Sequence, residues 1–243
     1  MLSLTNVSFT YPNSSLPVLQ NISFEVSGVC AVLGPSGCGK STMIKLCAGI
    51  LTPDAGNVLL YGKPINPKEI NVGLIPQDGG LLPWLTVEEN TALGQKIKHQ
   101  NNKAKVSQVL ERLGILALKD CYPGQISGGQ KQRVTVARAL CMDPSLLLMD
   151  EPFSALDANT REEAQDFLRE ITKHNYNITT LIVTHSVEEA AVLGTNILVM
   201  KKGRIIKILK NPLKGYNEPR RQNCFYELCD SLRCTMKDKQ DVI

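Results

Sequence analysis

The stretch "GVCAVLGPSGCGKSTMIKLCAGIL", from Gly28 to Leu51, decides how the rest of the chain is read. An apolar, β-like run feeds into nine residues, Gly34 to Thr42, that hold three glycines and a lysine. Apolar residues at helical spacing follow. "GPSGCGKS" fits the pattern G-x-x-x-x-G-K-[ST] across Gly34, Pro35, Ser36, Gly37, Cys38, Gly39, Lys40 and Ser41. Glycines let backbone N–H groups turn toward phosphate oxygens, and a helix beginning there presents its positive end to them. In that reading Lys40 reaches the β- and γ-phosphates of a nucleotide and Ser41 ligates Mg²⁺. An ordinary glycine-rich turn that carries a lysine reads the same over so few residues. The decision falls to whether the rest of a nucleotide-hydrolysing site follows.

A second half of such a site stands at "LLLMDE", Leu146 to Glu151. Four apolar residues predict a buried strand that delivers two acids at its carboxyl end, where ligands of α/β sheets bind. Asp150 would hold Mg²⁺ through water, leaving Glu151 to polarise an attacking water. The alternative, two surface carboxylates after a core strand, loses force once the glycine loop is taken as a phosphate cradle.

The bulk properties restrict the setting. The chain has 243 residues, 43% hydrophobic and 21% charged, enough for one large domain or two small ones without covalent staples. No apolar run approaches the roughly 18 residues of a membrane span, and the N-terminus lacks the basic patch and apolar core of a signal peptide. The chain is therefore expected to be made and kept in the cytosol. Its eight cysteines fall partly in apolar runs, where a reduced thiol packs as a small hydrophobe. Cys224, Cys229 and Cys234 are evenly spaced, but five-residue steps leave one helix face and no histidine lies nearby, so no metal is expected there. Net charge is +4, with 11 basic and 5 acidic residues from Lys201 onward. These charges are dispersed and read as a solvated surface, not as a lipid or nucleic-acid patch.

Along the chain, "LSLTNVSFTYP" and "VLQNISFEV" predict strands at the front, and "NVLLYGKPI" and "INVGLIPQ" two more. From Leu81 to Ala139 the pattern turns helical, and after Pro144 β-like runs return as "SLLLMD", "TTLIVTHS" and "NILVMKKGRIIKIL". The expectation is an α/β fold: a nucleotide-binding core with a mainly parallel sheet, an N-terminal antiparallel β subdomain and an inserted helical subdomain. The body is expected over 1–212, with the insert at about 81–139. A tail over 213–243 is expected to form one short helix, "FYELCDSLR", with no large appended domain.

A third element narrows the class. "ISGGQKQRVTVARAL", from Ile126, lies just before the acidic strand. With it the chain resembles the ATP-binding cassette ATPases, whose signature reads LSGGQ, from Tyr11 to about Ile208 and with every motif in order. The resemblance makes Gly34–Thr42 the Walker A loop, Gln77 the Q-loop glutamine and a contributor at the Mg²⁺ site, and Ser127, Gly128, Gly129 and Gln130 the signature. Asp150 and Glu151 become Walker B and its glutamate, Asp157 the D-loop aspartate and His185 the switch histidine. Tyr11 becomes the aromatic that stacks on adenine. It also implies ATP and Mg²⁺ as ligands, and a second copy of the chain whose signature caps the γ-phosphate held by the first copy's loop. The chain departs from the pattern at Ile126 for leucine, at Pro76 before Gln77 and at Ser186 after His185; none removes a group that does chemistry.

"DEPFSALDANTR" and "THSVEEA" resemble the importer branch, whose cassettes are separate chains docked on transmembrane permease subunits at the cytoplasmic face and served indirectly by a solute-binding protein. "GGLLPWLTVEENTALG", from Gly79, and the tail helix resemble the nitrate, sulfonate and taurine importer group. Thiamine-precursor importers look similar, and a lipid or lipoprotein exporter cassette is a further alternative. Trp84, the only tryptophan, reads equally as a hydrophobic anchor for the permease or as packing within the insert. Cassettes that act on DNA split their motifs around a long coiled coil, and translation cassettes carry two copies per chain. Neither feature is present, so no nucleic-acid partner is expected.

Overall fold

The computed structural model describes residues 1–67, 69–100, 102–174 and 178–237, excepting the side chains of 173 and 174. In chain order the elements are β1 (Leu2–Phe9), β2 (Leu19–Val26), β3 (Val29–Leu33), α1 (Lys40–Cys47), β4 (Ala55–Leu60), β5 (Lys63–Pro64) and β6 (Val72–Ile75). Then come α2 (Val87–Ile97), α3 (Lys103–Arg112), α4 (Gly128–Leu140), β7 (Leu146–Asp150), α5 (Ala158–His174) and β8 (Thr179–Thr184). The chain closes through α6 (Val187–Leu193), β9 (Asn196–Lys201), β10 (Arg204–Lys210) and α7 (Asn223–Lys237). The expected α/β architecture is present, including an antiparallel sheet at the front and only helical elements between β6 and β7.

Two sheets form. The first is antiparallel, in the order β2-β1-β4-β5. The second runs β10-β9-β3-β8-β7-β6, parallel throughout except for β10, which folds back on β9. The turn between these last strands has Lys202 at φ 46° and Gly203 at φ 75°, the left-handed pair that a tight hairpin matched to strand twist requires.

Strands β3, β7 and β8 read as near-continuous apolar runs because both faces are covered, and their successive residues divide between two cores. Cys30 and Val32 of β3, with Leu146 and Leu148 of β7, join α1 and the antiparallel sheet. Val29, Ala31, Leu33, Leu147 and Met149 face the opposite way, against α4, α6 and α7. The thiols of Cys47 and Cys229 are buried in these cores, and that burial pushes them up to about 12 and about 11. Both are packing groups here. Helix α7 is longer than the tail helix expected from the sequence, and it docks on α6 and β9 through Phe225, Leu228, Cys229 and Leu232. Among the described residues no helix is long and apolar enough to cross a membrane.

The strand order positions the site. β3, β8 and β7 are parallel neighbours, so the loop after β3, the Thr184–His185 corner after β8 and the Asp150–Glu151 pair ending β7 emerge at one sheet edge.

Candidate nucleotide site

The loop after β3 closes tightly on its surroundings. A Cβ on Gly34 would lie 2.5 Å from the Met200 carbonyl, so only glycine fits where the loop leaves the strand. Gly39 caps α1 at φ 102°, a conformation that disfavours side chains. The helix has no side-chain cap and no acidic residue in its first turn. Its first N–H groups are therefore left for an anion.

Lys40 is 4% exposed. Its ammonium donates to the Gly34 carbonyl at 2.9 Å and to the Pro35 carbonyl at 3.0 Å, and lies 3.4 Å from Glu151 Oε1. A buried ammonium needs such partners, and here they hold it across the mouth of the loop. The Glu151 backbone sits at φ 45°, its N–H bonded to the Val183 carbonyl at 3.0 Å. That corner turns the carboxylate between Lys40 and His185, whose Nδ1 is 3.0 Å from Glu151 Oε2. Lys40, Glu151 and His185 thus form one connected line.

Beside it, Ser41 Oγ donates to Asp150 Oδ1 at 3.1 Å. Burial raises the Asp150 carboxyl above its ordinary range, opposed by this hydrogen bond. A hydroxyl and a carboxylate placed together are the hard oxygen donors that suit Mg²⁺, so these residues fit the ion. Thr42 continues the loop outward: its Oγ1 is 3.2 Å from the Tyr11 hydroxyl. The half-buried Tyr11 ring stands edge-on to Phe9, centroids 5.0 Å apart and planes at 86°.

Other residues singled out from the sequence lie outside this connected group. Ser127 caps α4: its Oγ accepts from the Gln130 N–H at 3.3 Å, and Gln130 Oε1 accepts from the Ser127 N–H at 2.9 Å. Ser127 and Gly128 are exposed, Gly129 follows in the first turn, and no acid lies there. Asp157 is likewise occupied locally, its Oδ1 accepting from the Thr160 N–H at 3.1 Å at the start of α5. Gln77 is exposed after β6. Among the described residues no hydrogen bond or ion pair joins Gln77, Asp157 or Ser127–Gln130 to the loop at Gly34–Thr42.

Three polar residues were not singled out from the sequence. Arg138 of α4 donates to the Gly80 carbonyl at 2.5 Å and the Gly79 carbonyl at 2.7 Å, and Thr135 Oγ1 to Gly79 at 3.4 Å. They tie the segment after Gln77 to the helix that Ser127 caps. Asn90, fully buried, accepts from the Leu82 N–H, and its two amide hydrogens are shared among the carbonyls of Leu82, Leu85 and Thr86. That locks the loop around Trp84, which is 68% exposed and so is not core packing. Single polar residues on helices carry no spacing pattern, which is why these three are silent in the sequence.

The model of the family described as ABC transporter matches residues 19–154, which include the loop, the Ser127 cap and both acids. The chain belongs to the ABC transporter family. Similarity to curated relatives agrees. The sulfate/thiosulfate import ATP-binding protein CysA of Pseudomonas aeruginosa is 36% identical over 254 aligned positions, covering 100% of this chain and 76% of that one. The aliphatic sulfonates import ATP-binding protein SsuB of Bacillus cereus is 39% identical, covering 93% and 92%. Among solved structures, cbiO1 of Clostridium perfringens, part of the transporter complex cbiONQ, superposes with a TM-score of 0.77 at 31% identity, over 87% of this chain and 88% of that one. The cassette MJ0796, solved as a post-hydrolysis dimer bound to ADP and Pi, gives 0.75 at 28% identity over 89% of this chain and 100% of its own. This cassette is accordingly an ATPase that hydrolyses ATP for transport.

Proposed function

We propose that the cassette is the ATP-hydrolysing subunit of an importer, bound at the cytoplasmic face to separate permease subunits and powering uptake of a small oxyanion of the sulfonate, taurine, sulfate or nitrate type. The SsuB relatives, aligned over nearly their whole length, support the solute class. The exposed Trp84, displayed on a loop that Asn90 holds rigid, supports permease docking on this surface. The body at 1–212, with its helical insert at 81–139, and the tail at 213–243 are part of this reading.

The observation that carries the mechanism is the split between the connected line Lys40–Glu151–His185 and the detached, exposed helix start at Ser127. Two such chains packed head to tail would each complete the other's site. The Gly34–Thr42 loop and the α1 amides hold the β- and γ-phosphates, and Tyr11 stacks on adenine. Ser127, Gly128 and Gly129 of the second copy, with Gln130 and the nearby Asp157, close over the γ-phosphate. Ser41 and Asp150 would hold Mg²⁺, with Gln77 reaching the same point once the loop is filled; bound there, the ion neutralises charge on the phosphate oxygens. Lys40 exchanges its loop carbonyls and Glu151 for phosphate oxygens. That frees the Glu151 carboxylate to accept a proton from the attacking water, and His185 holds that carboxylate and the γ-phosphate in register. Hydrolysis removes the bridging ligand and adds charge repulsion, and the pair opens.

The test is ATP-dependent uptake of labelled taurine, an alkanesulfonate, sulfate and nitrate in cells carrying the cassette with its permease. Uptake of one of them, lost with Glu151→Gln, is the expected result. ATPase activity without uptake of any would sink the solute assignment.

A further inference from the structure

Helix α7 is the element to which the sequence assigns no role, and its polar side leads to the catalytic corner. Its apolar face packs on α6. Arg233, on α7, donates through Nη1 to Asp230 at 2.9 Å and through Nη2 to Glu188 Oε1 of α6. Glu188 Oε2 in turn accepts from Ser186 Oγ at 3.1 Å. Ser186 caps α6, its Oγ accepting from the Glu189 N–H at 3.2 Å, and its own N–H donates to Thr184 Oγ1 at 3.0 Å. The buried Thr184 hydroxyl donates to the buried Glu189 carboxylate, so hydrogen bonds tie together the two residues that flank His185 in the chain and the first turn of α6.

His185 itself has little else to hold it. Its side chain is 56% exposed, and among the described residues its one side-chain hydrogen bond is the Nδ1 contact with Glu151. Where its ring sits therefore depends on the backbone at 184–186, which is held on one side by β8, whose Thr184 pairs with Leu33 and accepts from the Gly34 N–H at 3.2 Å, and on the other by α6 and its capping groups. α6 is only seven residues long and needs packing to hold its place. β3 and α5 cover α6 on its other sides, and α7 supplies the outer part of that packing, with Arg233 at its polar end.

We propose that α7 is a brace for the catalytic corner, with Arg233 and Glu188 as positioning residues that set His185 against Glu151, so that docking of the C-terminal helix tunes the rate of hydrolysis. The inference rests on the role given to His185 above. It assigns Arg233 no contact with nucleotide. Both members of the Arg233–Glu188 pair are about half exposed, at 45% and 48%, so the effect is modest and sensitive to salt.

The experiment compares Arg233→Ala and Arg233→Lys with the unaltered full chain, measuring kcat and KM for ATP and the imidazole resonances of His185 by NMR, with His99 as internal reference. Arg233→Ala is expected to lower kcat about two- to fivefold, the range for a half-exposed ion pair, with KM unchanged. Arg233→Lys should recover most of the loss. The His185 resonances should move while those of His99 stay, and raising the salt should bring the unaltered chain toward the variant. An unchanged kcat in Arg233→Ala overturns the proposal, as does a reduced kcat with His185 unmoved. Normal turnover in His185→Ala would overturn the role of the histidine instead, and the resonance shift would still decide whether α7 positions it.

Discussion

The loop end and the signature end of this cassette both present the start of a helix, and they differ in what lies next to it. At α1 the surrounding strands bring two acids and a histidine beside Lys40 and Ser41: Ser41 meets Asp150 and Lys40 meets Glu151 across more than a hundred residues of sequence, and His185 joins Glu151 from the next strand. At α4 the capping bonds stay within their own turn, and Gly128 is exposed while Gly129 is half-buried against Thr160. In the head-to-tail pairing proposed above, the first holds the nucleotide and the second closes on its phosphate from another chain. On that proposal residues serving one reaction need not meet in one protomer, and bonds that reach out of their own turn separate the two ends.

The largest effect is expected where the connected line is cut. Glu151→Gln removes the carboxylate that faces both Lys40 and His185, and turnover should fall about a hundredfold or more, the scale of general-base catalysis. ATP should still bind, and size-exclusion chromatography with ATP should find a trapped dimer. A variant that hydrolyses at near-normal rate would remove Glu151 from the chemistry.

Gly128→Asp sharpens the comparison from the other side. An acid in the first turn of a helix favours the helix, and the added Cβ meets only the Leu156 Cδ2 methyl at 3.2 Å, so the monomer should keep its stability. The same charge would repel a γ-phosphate approaching from a second chain. ATP affinity should stay within about twofold while turnover drops at least tenfold, given the few kcal/mol that a misplaced charge costs. Equal loss of ATP binding would place the signature within its own chain's site.

Trp84→Ala tests the surface beyond both ends. Substitution of so exposed a residue should leave basal hydrolysis intact and shift stability by no more than about 0.5 kcal/mol. Affinity for the permease should fall about tenfold or more, as for a hydrophobic anchor, read by co-purification or by calorimetric titration. A drop in melting temperature without a change in docking would return Trp84 to a packing role.

How much of this was legible beforehand follows the same divide. The β3 run, the glycine pattern and "LLLMD" announce themselves because buried parallel strands are continuously apolar and phosphate loops need glycine at fixed steps. The order of motifs named the family. What the sequence hides is contact between positions far apart. The reach of Lys40 to Glu151 and of Arg233 to Glu188 depends on which strands and helices become neighbours. Tyr11 illustrates a finer limit: "FTYP" marks an aromatic near the site, but not that its hydroxyl would meet Thr42. Asn90 and Arg138 hold loops through backbone carbonyls, which carry no side-chain code at all.

The smallest effect concerns stability, and its sign follows from the Asp150 carboxyl. Burial penalises its charged form, so the folded chain holds this proton to higher pH than the unfolded chain does. Across that window the native state binds more protons, and by linkage the contribution of Asp150 to stability falls as pH rises through it. At neutral pH the ionised carboxylate is therefore a cost in the ligand-free cassette, offset in part by Ser41. Asp150→Asn removes the charge and keeps the shape, and the melting temperature at pH 7 should rise by about one to three degrees, the gap to the unaltered chain narrowing as the pH is lowered through that window. The same variant should bind Mg²⁺·ATP weakly and turn over slowly, because the donor that fits the ion is gone. A variant destabilised at pH 7 would mean that the Ser41 hydrogen bond outweighs burial, and that this end of the site is assembled for stability as well as for binding.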